Sequence, residues 1–200
     1  MTHLLILYPK LFKCYDKFYR KLRKITQRLG DYSIIYPDDP NDFILRYTQN
    51  NPVIKIEHCS DWKDRNITHA IIFDDGTEFP VDERYLQERG ISIRLINITI
   101  TRVINIKKES EYQNIKSTSS YEYIGRGSYW GNPYSLYEGG DDREDVIRKF
   151  KYDFDFEKFP NKEKSEVYKL AGKKLGCFCK PEACHGDILA DFLNSWDDGK

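Results

Sequence analysis

The residues best suited to chemistry lie close together near the end of the chain. Three cysteines, a histidine and an aspartate make up this group, which consists of Cys177, Cys179, Cys184, His185 and Asp187. Residues i and i+2 of a strand share a face, so Cys177 and Cys179 can point the same way. Thiolates and imidazole are preferred ligands of zinc. The segment therefore predicts a zinc site with Cys177, Cys179 and Cys184 as ligands, and with His185 as the fourth ligand or as a group that orients them.

Two other interpretations of this segment stay open. The spacing differs from the usual C-x₂₋₄-C pairs, and adjacent helical residues such as Cys184 and His185 project about 100° apart. Cys184 lies at a predicted helix start, where the helix dipole favours a thiolate, so it would be a reactive thiol with His185 and Asp187 as catalytic partners. Alternatively the cysteines are structural, because free cysteines are among the most buried residues.

A second candidate site lies in a segment rich in glycine and aromatic residues. Its predicted ligand-binding residues are Gly125, Arg126, Gly127, Trp130, Asn132 and Tyr134. Glycines permit close backbone approach or positive φ, and the guanidinium of Arg126 suits a phosphate. Trp130 or Tyr134 would stack on a base while Asn132 reads polar edges. The pattern predicts a site for a nucleotide, a nucleoside or a nucleic-acid end, and the alternative is a tight turn with Trp130 buried against the core.

The elements that must position these residues form two halves. The first half alternates apolar runs with segments of helical spacing, with strands predicted at 4–8, 32–36, 53–56, 69–73 and 91–98 and helices at 9–29, 41–47 and 81–89. This rhythm predicts an α/β fold: a small Rossmann-like, mostly parallel sheet with helices on both faces. The second half predicts a compact α/β (α+β) domain with strands at 101–106 and 175–179, a surface connection at 107–120 and helices at 141–154, 161–172 and 184–196. The predicted domains are 1–99 and 100–200.

Composition excludes a global electrostatic partner. The 200 residues contain 32 Lys+Arg and 32 Asp+Glu, so the net charge is zero and any charge argument is local. No apolar run approaches a membrane span, no leader peptide is recognisable, and the five cysteines are unevenly spaced. We therefore expect a cytoplasmic protein with reduced thiols and no membrane partner, and leave homo-oligomerisation open.

One local charge excess falls in the first predicted helix. Between Lys10 and Arg28 the chain carries eight Lys/Arg and one Asp. One interpretation is a solvated helix face whose long side chains cover apolar surface. The other is a helix that faces polyphosphate or nucleic acid.

The second half resembles a known family. The order Tyr-Ile-Gly-Arg at 123–126, Trp-Gly-Asn-Pro at 130–133 and Cys-x-Cys-x-Pro-x-x-Cys-His-Gly-Asp at 177–187 is similar to the domain-of-unknown-function 4326 family of bacterial, archaeal and viral proteins. The resemblance covers about residues 100–196 and implies a compact α/β domain in which the two motifs converge. It brings no established reaction, and it implies that the protein would be phage-like or virus-encoded within a host cell.

The first half resembles small Rossmann-like nucleotide-binding domains related to nucleoside deoxyribosyltransferases and DNA-processing proteins. The resemblance rests on Thr-His-Ala-Ile-Ile-Phe-Asp-Asp-Gly at 68–76 and the following helix and strand. Those families cradle phosphate with a glycine-rich turn, and this chain has no glycine after either 4–8 or 53–56. The domain is thus expected to be degenerate. Any ligand would lie at Asp74, Asp75 and Thr77, and the alternative is a scaffolding or dimerising domain.

Three functions remain from the sequence. In the first, the zinc-bearing domain acts on a nucleotide by metal-assisted hydrolysis or group transfer, with His185 or Asp187 relaying protons. In the second, the protein is a non-enzymatic module, zinc is purely structural, and the basic first helix binds nucleic acid or a partner protein. In the third, it is a thiol-redox protein that uses Cys184. Whether the protein is an enzyme stays open.

Overall fold

The computed structural model describes residues 1–51, 54–136 and 140–200. They divide into two compact units: Met1–Ile98 with Ser195–Lys200 form one, and Thr99–Asn194 form the other. Every described helix is too short or too polar to cross a lipid bilayer.

The N-terminal unit is a parallel sheet with helical connections. Its strands are β1 (Thr2–Leu7), β2 (Tyr32–Tyr36), β3 (Lys55–His58), β4 (His69–Asp74) and β5 (Ser92–Asn97), and its helices are α1 (Tyr15–Thr26), α2 (Phe43–Gln49) and α3 (Pro80–Glu88). The strand order is β3-β2-β1-β4-β5, and all four pairings are parallel. Such a sheet needs right-handed crossovers that place helices on its faces.

Both faces of this sheet are covered by apolar side chains from the connections. Ile72 of β4 packs in a cluster with Leu86 of α3 and with Trp62, which lies in a 3-10 turn at Trp62–Asp64. The next residue, Phe73, points the other way and stacks on Phe18 of α1 with ring centroids 4.9 Å apart. Successive strand residues face opposite sides, so the helices lie on both faces. The predicted α/β class is confirmed.

The boundaries of several elements differ from the prediction. The long first helix begins at Tyr15 rather than at residue 9, because Pro9 and Phe12 close a turn through an N–H···O bond of 3.0 Å. Phe12 belongs to this turn, and its buried ring stacks on that of Phe73. The strand predicted at 53–56 runs from Lys55 to His58, and residue 53 lies outside the described residues.

The C-terminal unit has a three-stranded parallel sheet. Its strands are β6 (Arg102–Asn105), β7 (Tyr121–Tyr123) and β8 (Lys174–Cys177), and its helices are α4 (Arg143–Asp155) and α5 (His185–Ser195). Strand β8 is central, with β6 and β7 parallel on either side. A 3-10 turn at Ser110–Tyr112 interrupts the connection predicted at 107–120.

Two local features explain the helices of this unit. The side chains of Asp142 and Asp145 form a capping box that starts α4, close to the start predicted at residue 141. The helix predicted at 161–172 is instead a 3-10 helix at Lys164–Leu170. Its buried residues are Val167 and Leu170, and this i, i+3 spacing suits a 3-10 helix, in which such residues stack.

Candidate metal and ligand site

The cysteines and histidine of the C-terminal motif form one cluster of donor atoms. The Sγ atoms of Cys177 and Cys184 and a ring nitrogen of His185 all lie within 4.8 Å of one another. The Sγ of Cys179 is 3.5 Å from that of Cys177. The Sγ of Cys184 is 3.7 Å from Nδ1 of His185. Three soft or borderline donors therefore share one location, and Cys179 adjoins them through Cys177.

The turn between β8 and α5 brings these donors together. Cys177 ends β8, and the chain then turns back, with the N–H of Glu182 donating to the carbonyl of Cys179 at 3.0 Å. The side-chain amide of Asn105 donates to the carbonyl of Lys180 and fixes this turn against the end of β6. The turn thus delivers Cys184 to the start of α5, beside the end of β8.

Cys184 and Asp187 cap α5 reciprocally. The N–H of Gly186 donates to Sγ of Cys184 at 3.4 Å, and the Asp187 carboxylate accepts the N–H of Cys184 at 3.0 Å. The same carboxylate lies 2.6 Å from Nζ of Lys180. Such a box satisfies N–H groups that a helix start would otherwise leave unpaired. The Asp187 carboxylate is thus engaged in capping the helix, and its catalytic role stays a prediction.

The surroundings of His185 fix its tautomer. Its Nε2 lies 2.9 Å from the carbonyl of Ile124, so this nitrogen carries the hydrogen and donates. Nδ1 then keeps its lone pair and faces Cys184. Burial lowers the pKa of His185, which is only 5% exposed, so the ring is neutral. A neutral imidazole with a free Nδ1 is the form that binds metals.

The thiols are not equally acidic. A hydrogen bond from Cys184 lowers the pKa of Cys177 below that of an ordinary thiol. The same contact, together with burial, raises the pKa of Cys184, whose residue is 1% exposed. Burial also raises the pKa of Cys179. Burial and the contact with Cys177 thus oppose the effect of the helix start on Cys184, and its role as the reactive thiol stays a prediction.

Two separations between the donors match the edges of a tetrahedral metal site. Zinc bonds of about 2.3 Å to sulfur and about 2.0–2.1 Å to nitrogen give tetrahedral edges of about 3.8 Å between sulfurs and about 3.6 Å between sulfur and nitrogen. The Cys177–Cys179 separation of 3.5 Å and the Cys184–His185 separation of 3.7 Å are close to these edges. The cluster can therefore hold a metal ion.

A pocket of about 210 Å³ lies beside the donors. One wall comes from the glycine-rich segment, with Gly125, Arg126, Asn132 and Tyr134, and another from the start of α4. All four donor residues line the same pocket. The two motifs therefore converge, as the resemblance to the domain-of-unknown-function family implies.

Two arginines give this pocket its charge. Arg126 is exposed at one wall. Arg143, the first residue of α4, donates to the carbonyl of Ala183 at 3.2 Å and hydrogen-bonds the Cys179 thiol. The described lining residues include no carboxylate. Sequence reasoning missed Arg143, and the available signal was its position directly after Asp142, the N-cap residue of α4.

Aromatic rings complete the pocket. Phe178, which sequence reasoning also missed, is 50% exposed and lines it between two cysteines that point inward. Tyr134 lines it too, and its hydroxyl donates to Asp153 at 2.5 Å. This hydrogen bond, together with burial, raises the pKa of Tyr134 to about 12. The phenol is therefore neutral and fixed, and its ring remains beside the pocket.

Trp130 is not among the residues lining the pocket. It is 4% exposed and packs edge-on against Phe154 in the core, with ring centroids 6.4 Å apart. The predicted stacking of Trp130 on a base is wrong, and the buried-turn alternative describes it.

The other predicted ligand residues of this segment support the loop rather than a ligand. Gly127 has φ of 79° and does not line the pocket. A Cβ on Gly125 would lie 2.2 Å from the hydroxyl of Tyr123, so this glycine makes room for a protein side chain. The amide of Asn132 donates to the carbonyl of Val146 at 3.1 Å, and its oxygen accepts the N–H of Tyr134 at 3.0 Å. Asn132 therefore braces the loop on α4.

The strand-end residues suggested for the N-terminal unit are engaged within their own loop. Asp75 accepts from the N–H and hydroxyl of Thr77, and Asp74 accepts the N–H of Gly76 at 2.9 Å. At the start of α2 the Asp39 carboxylate accepts two backbone N–H groups, at 3.1 and 2.9 Å. A protein carboxylate thus occupies the place where a bound phosphate would accept these hydrogen bonds. These contacts agree with a degenerate phosphate site.

Comparison with protein families assigns both halves. Residues 1–104 match the minimal SLOG domain. The chain belongs to the minimal SLOG family. Residues 104–195 of this minimal SLOG protein match the domain of unknown function DUF4326, which confirms the resemblance stated from the two motifs. The minimal SLOG domain is Rossmann-like and points to a nucleotide-related function.

A phage protein is similar to part of this minimal SLOG chain. The "Uncharacterized 12.4 kDa protein in nrdA-td intergenic region" of Enterobacteria phage T4 is 44% identical over 75 residues. The match covers 36% of this chain and 65% of the phage protein. It fits the expectation of a virus-encoded protein. No solved structure matches the chain.

Proposed function

We propose that the C-terminal unit binds a nucleotide in the pocket beside the donor cluster and that the cluster holds a structural zinc ion. The observation that carries this proposal is the lining of the pocket. It contains two arginines and four potential metal ligands, and no carboxylate is among its described residues. Arg126 and Arg143 take the phosphate, since guanidinium forks match phosphate oxygens. Phe178 and Tyr134 supply the faces for a base or sugar.

The size of the pocket sets how much of the ligand enters. Its volume of about 210 Å³ lies below the ~300–1,000 Å³ of pockets that enclose a drug-sized ligand. One end of a nucleotide therefore fills it, and the remainder lies over the exposed ring of Phe178. This arrangement suits the phosphate end or the terminus of a strand.

The donor count favours a structural zinc. Four protein ligands close a tetrahedral site, whereas catalytic zinc keeps one position for water. Cys177, Cys184 and His185 are all buried. Zinc bound there fastens the end of β8 to the start of α5 and so fixes one wall of the nucleotide pocket.

A second candidate is metal-assisted hydrolysis or group transfer at the bound nucleotide. It is favoured by the position of Cys179, which is only half-buried, lines the pocket and contacts Arg143. If Cys179 did not coordinate the metal, a water molecule could take the fourth coordination position and would face the bound nucleotide. The ligand count at the metal separates the two candidates.

Elemental analysis of the purified protein tests the metal site. We expect one zinc per chain, and loss of that zinc in Cys177→Ser/Cys184→Ser. Cys59→Ser is the matched control, because Cys59 is a half-buried thiol of the N-terminal unit. Zinc-edge X-ray absorption should show three sulfurs and one nitrogen. A coordinated water in place of one sulfur would favour the catalytic candidate, and a metal-free native protein would refute both.

Thermal shifts with nucleoside mono-, di- and triphosphates test the pocket. We expect stabilisation of the native protein that is lost in Arg126→Ala and weakened in Arg143→Lys. The control is Arg148→Ala, because Arg148 lies on α4 with its side chain 75% exposed and paired with Asp145. Zinc content should be equal in all of these proteins. A shift that persists in Arg126→Ala would place the ligand elsewhere.

A further inference from the structure

A second, larger groove lies in the N-terminal unit between α1 and the edge strand β5. Its volume is about 610 Å³. Four cationic side chains line it: Lys21, Lys24, Arg28 and Arg94. The described lining residues include neither a carboxylate nor an aromatic ring. The groove is therefore a local positive surface on a chain whose net charge is zero.

Three of these cationic groups form a row along α1, and the fourth faces them from β5. Lys21, Lys24 and Arg28 follow one another at i, i+3 and i+7, which puts them on one side of α1 and its end. At about 1.5 Å per residue, the row is about 10 Å long. Arg94 lies opposite Ile71 of β4 in the sheet, so the two side chains point to the same face. Phe73 points to that face as well and stacks on Phe18 of α1. Arg94 therefore faces the row from β5.

These cations have no acidic partner within the described chain, unlike their neighbours. Lys17 of α1 is bound by Asp198 at 2.8 Å, and Arg20 is bound by Asp197. No ion pair joins any of the four groove cations to a described carboxylate. Lysines near a helix end also stabilise the helix dipole, but this does not account for Arg94, which belongs to a strand. The four groups converge on the groove without being neutralised.

We propose that this groove binds the phosphate backbone of single-stranded nucleic acid without reading its sequence. The row is about 10 Å long, so its cations can contact successive phosphates of one strand, and Arg94 can contact a further phosphate from the facing wall. Ile96, which shares the sheet face of Arg94, supplies apolar surface for the sugars. Since the described lining has no aromatic ring for stacking, binding is electrostatic and independent of base identity. The groove is separate from the nucleotide pocket of the C-terminal unit, so either proposal can fail alone.

The number of cations fixes the expected salt dependence. Neutralising four phosphates of a single strand gives a slope of about −2.8 in log K against log salt, from about −0.7 per phosphate. Affinity should then fall about 50-fold between 50 and 200 mM salt. Each groove cation replaced by alanine should reduce the steepness of the slope by about 0.7.

Fluorescence anisotropy with a labelled 20-nucleotide oligo-dT and a mixed-sequence strand tests the proposal. We expect equal affinities for the two strands, the slope given above, and a shallower slope with weaker binding for Arg94→Ala and for Lys24→Ala/Arg28→Ala. Arg84→Ala is the control, because Arg84 is exposed on α3 and is not among the groove residues. Arg148→Ala, at an exposed residue of the C-terminal unit that lines neither pocket, should bind the strand as the native protein does. Melting temperatures of the variants should match that of the native protein, since the substituted side chains lie at the surface.

Four outcomes would overturn the proposal. The first is a slope that the groove variants leave unchanged, and the second is an equal loss in Arg84→Ala. The third is binding to inorganic polyphosphate or to anionic phosphatidylserine vesicles without binding to the oligonucleotides. Loss of strand binding in Arg126→Ala alone would move the interaction to the C-terminal pocket.

Discussion

Replacing Asp187 by alanine tests what its carboxylate does at the start of α5. The carboxylate accepts the N–H of Cys184 at 3.0 Å and lies 2.6 Å from Nζ of Lys180. Loss of a cap of this kind costs about 0.5–2 kcal/mol, and a partly exposed ion pair contributes about 0–1 kcal/mol. We expect Asp187→Ala to lower the free energy of unfolding of the C-terminal unit by about 1–2 kcal/mol. A domain of roughly 100 residues loses about 4–8 °C of melting temperature per kcal/mol.

Asp187→Asn separates capping from proton transfer. The asparagine oxygen still accepts the N–H of Cys184, so we expect the melting temperature to fall by less than half as much as in Asp187→Ala. Differential scanning fluorimetry and zinc analysis of the three proteins make the comparison. Zinc content should stay at the native value in Asp187→Asn. The capping argument would be refuted if Asp187→Asn were as unstable as Asp187→Ala, or if both variants melted like the native protein.

Three further results are expected. Asn194→Ala should lower the free energy of unfolding in urea by about 2–5 kcal/mol. The buried N–H and carbonyl of Thr101 both hydrogen-bond to the Asn194 side chain, at 2.8 and 3.0 Å, and the substitution would leave them unpaired. Asn66→Ala is the control, because Asn66 is exposed. The pKa of Tyr134, raised to about 12 mainly by Asp153, favours the protonated form in the folded state. The free energy of unfolding should therefore fall as pH rises from about 10 towards 12, and less so in Tyr134→Phe. A zinc chelator should lower the melting temperature of the C-terminal unit, with recovery on adding zinc back.

The parallel sheet could be predicted because its three inner strands, β2, β1 and β4, carry runs of buried apolar residues. Leu4–Leu7 is a continuous buried run, which is typical of a central parallel strand. The start of α1 could not be predicted from periodicity alone. Phe12 continues the helical spacing of the apolar residues of α1. It nevertheless belongs to the turn that begins at Pro9, and its side chain is buried in the core from there. A side chain can occupy the same core from a turn or from a helix, so the pattern leaves the boundary open.

The candidate metal ligands could be found because they are close in sequence, whereas other pocket residues could not. Arg143 reaches the cluster from α4, and Phe178 lies half-exposed in the turn directly after β8. Both depend on tertiary placement, which local spacing does not contain. Trp130 was misassigned because an indole in a glycine-rich segment suits a ligand and a hydrophobic core equally well, and here the core surrounds it.

The raised pKa of Cys184 and its position at a helix start are compatible once the metal is considered. Without a metal, burial and the contact with Cys177 keep the Cys184 thiol protonated and inert. A coordinated thiol loses its proton outright, and the helix dipole with the N–H of Gly186 would then stabilise the thiolate. The same helix is held at its other end by the bonds between Asn194 and Thr101. Zinc would thus complete the fixing of α5, so nucleotide binding in the adjacent pocket should weaken when the metal is removed.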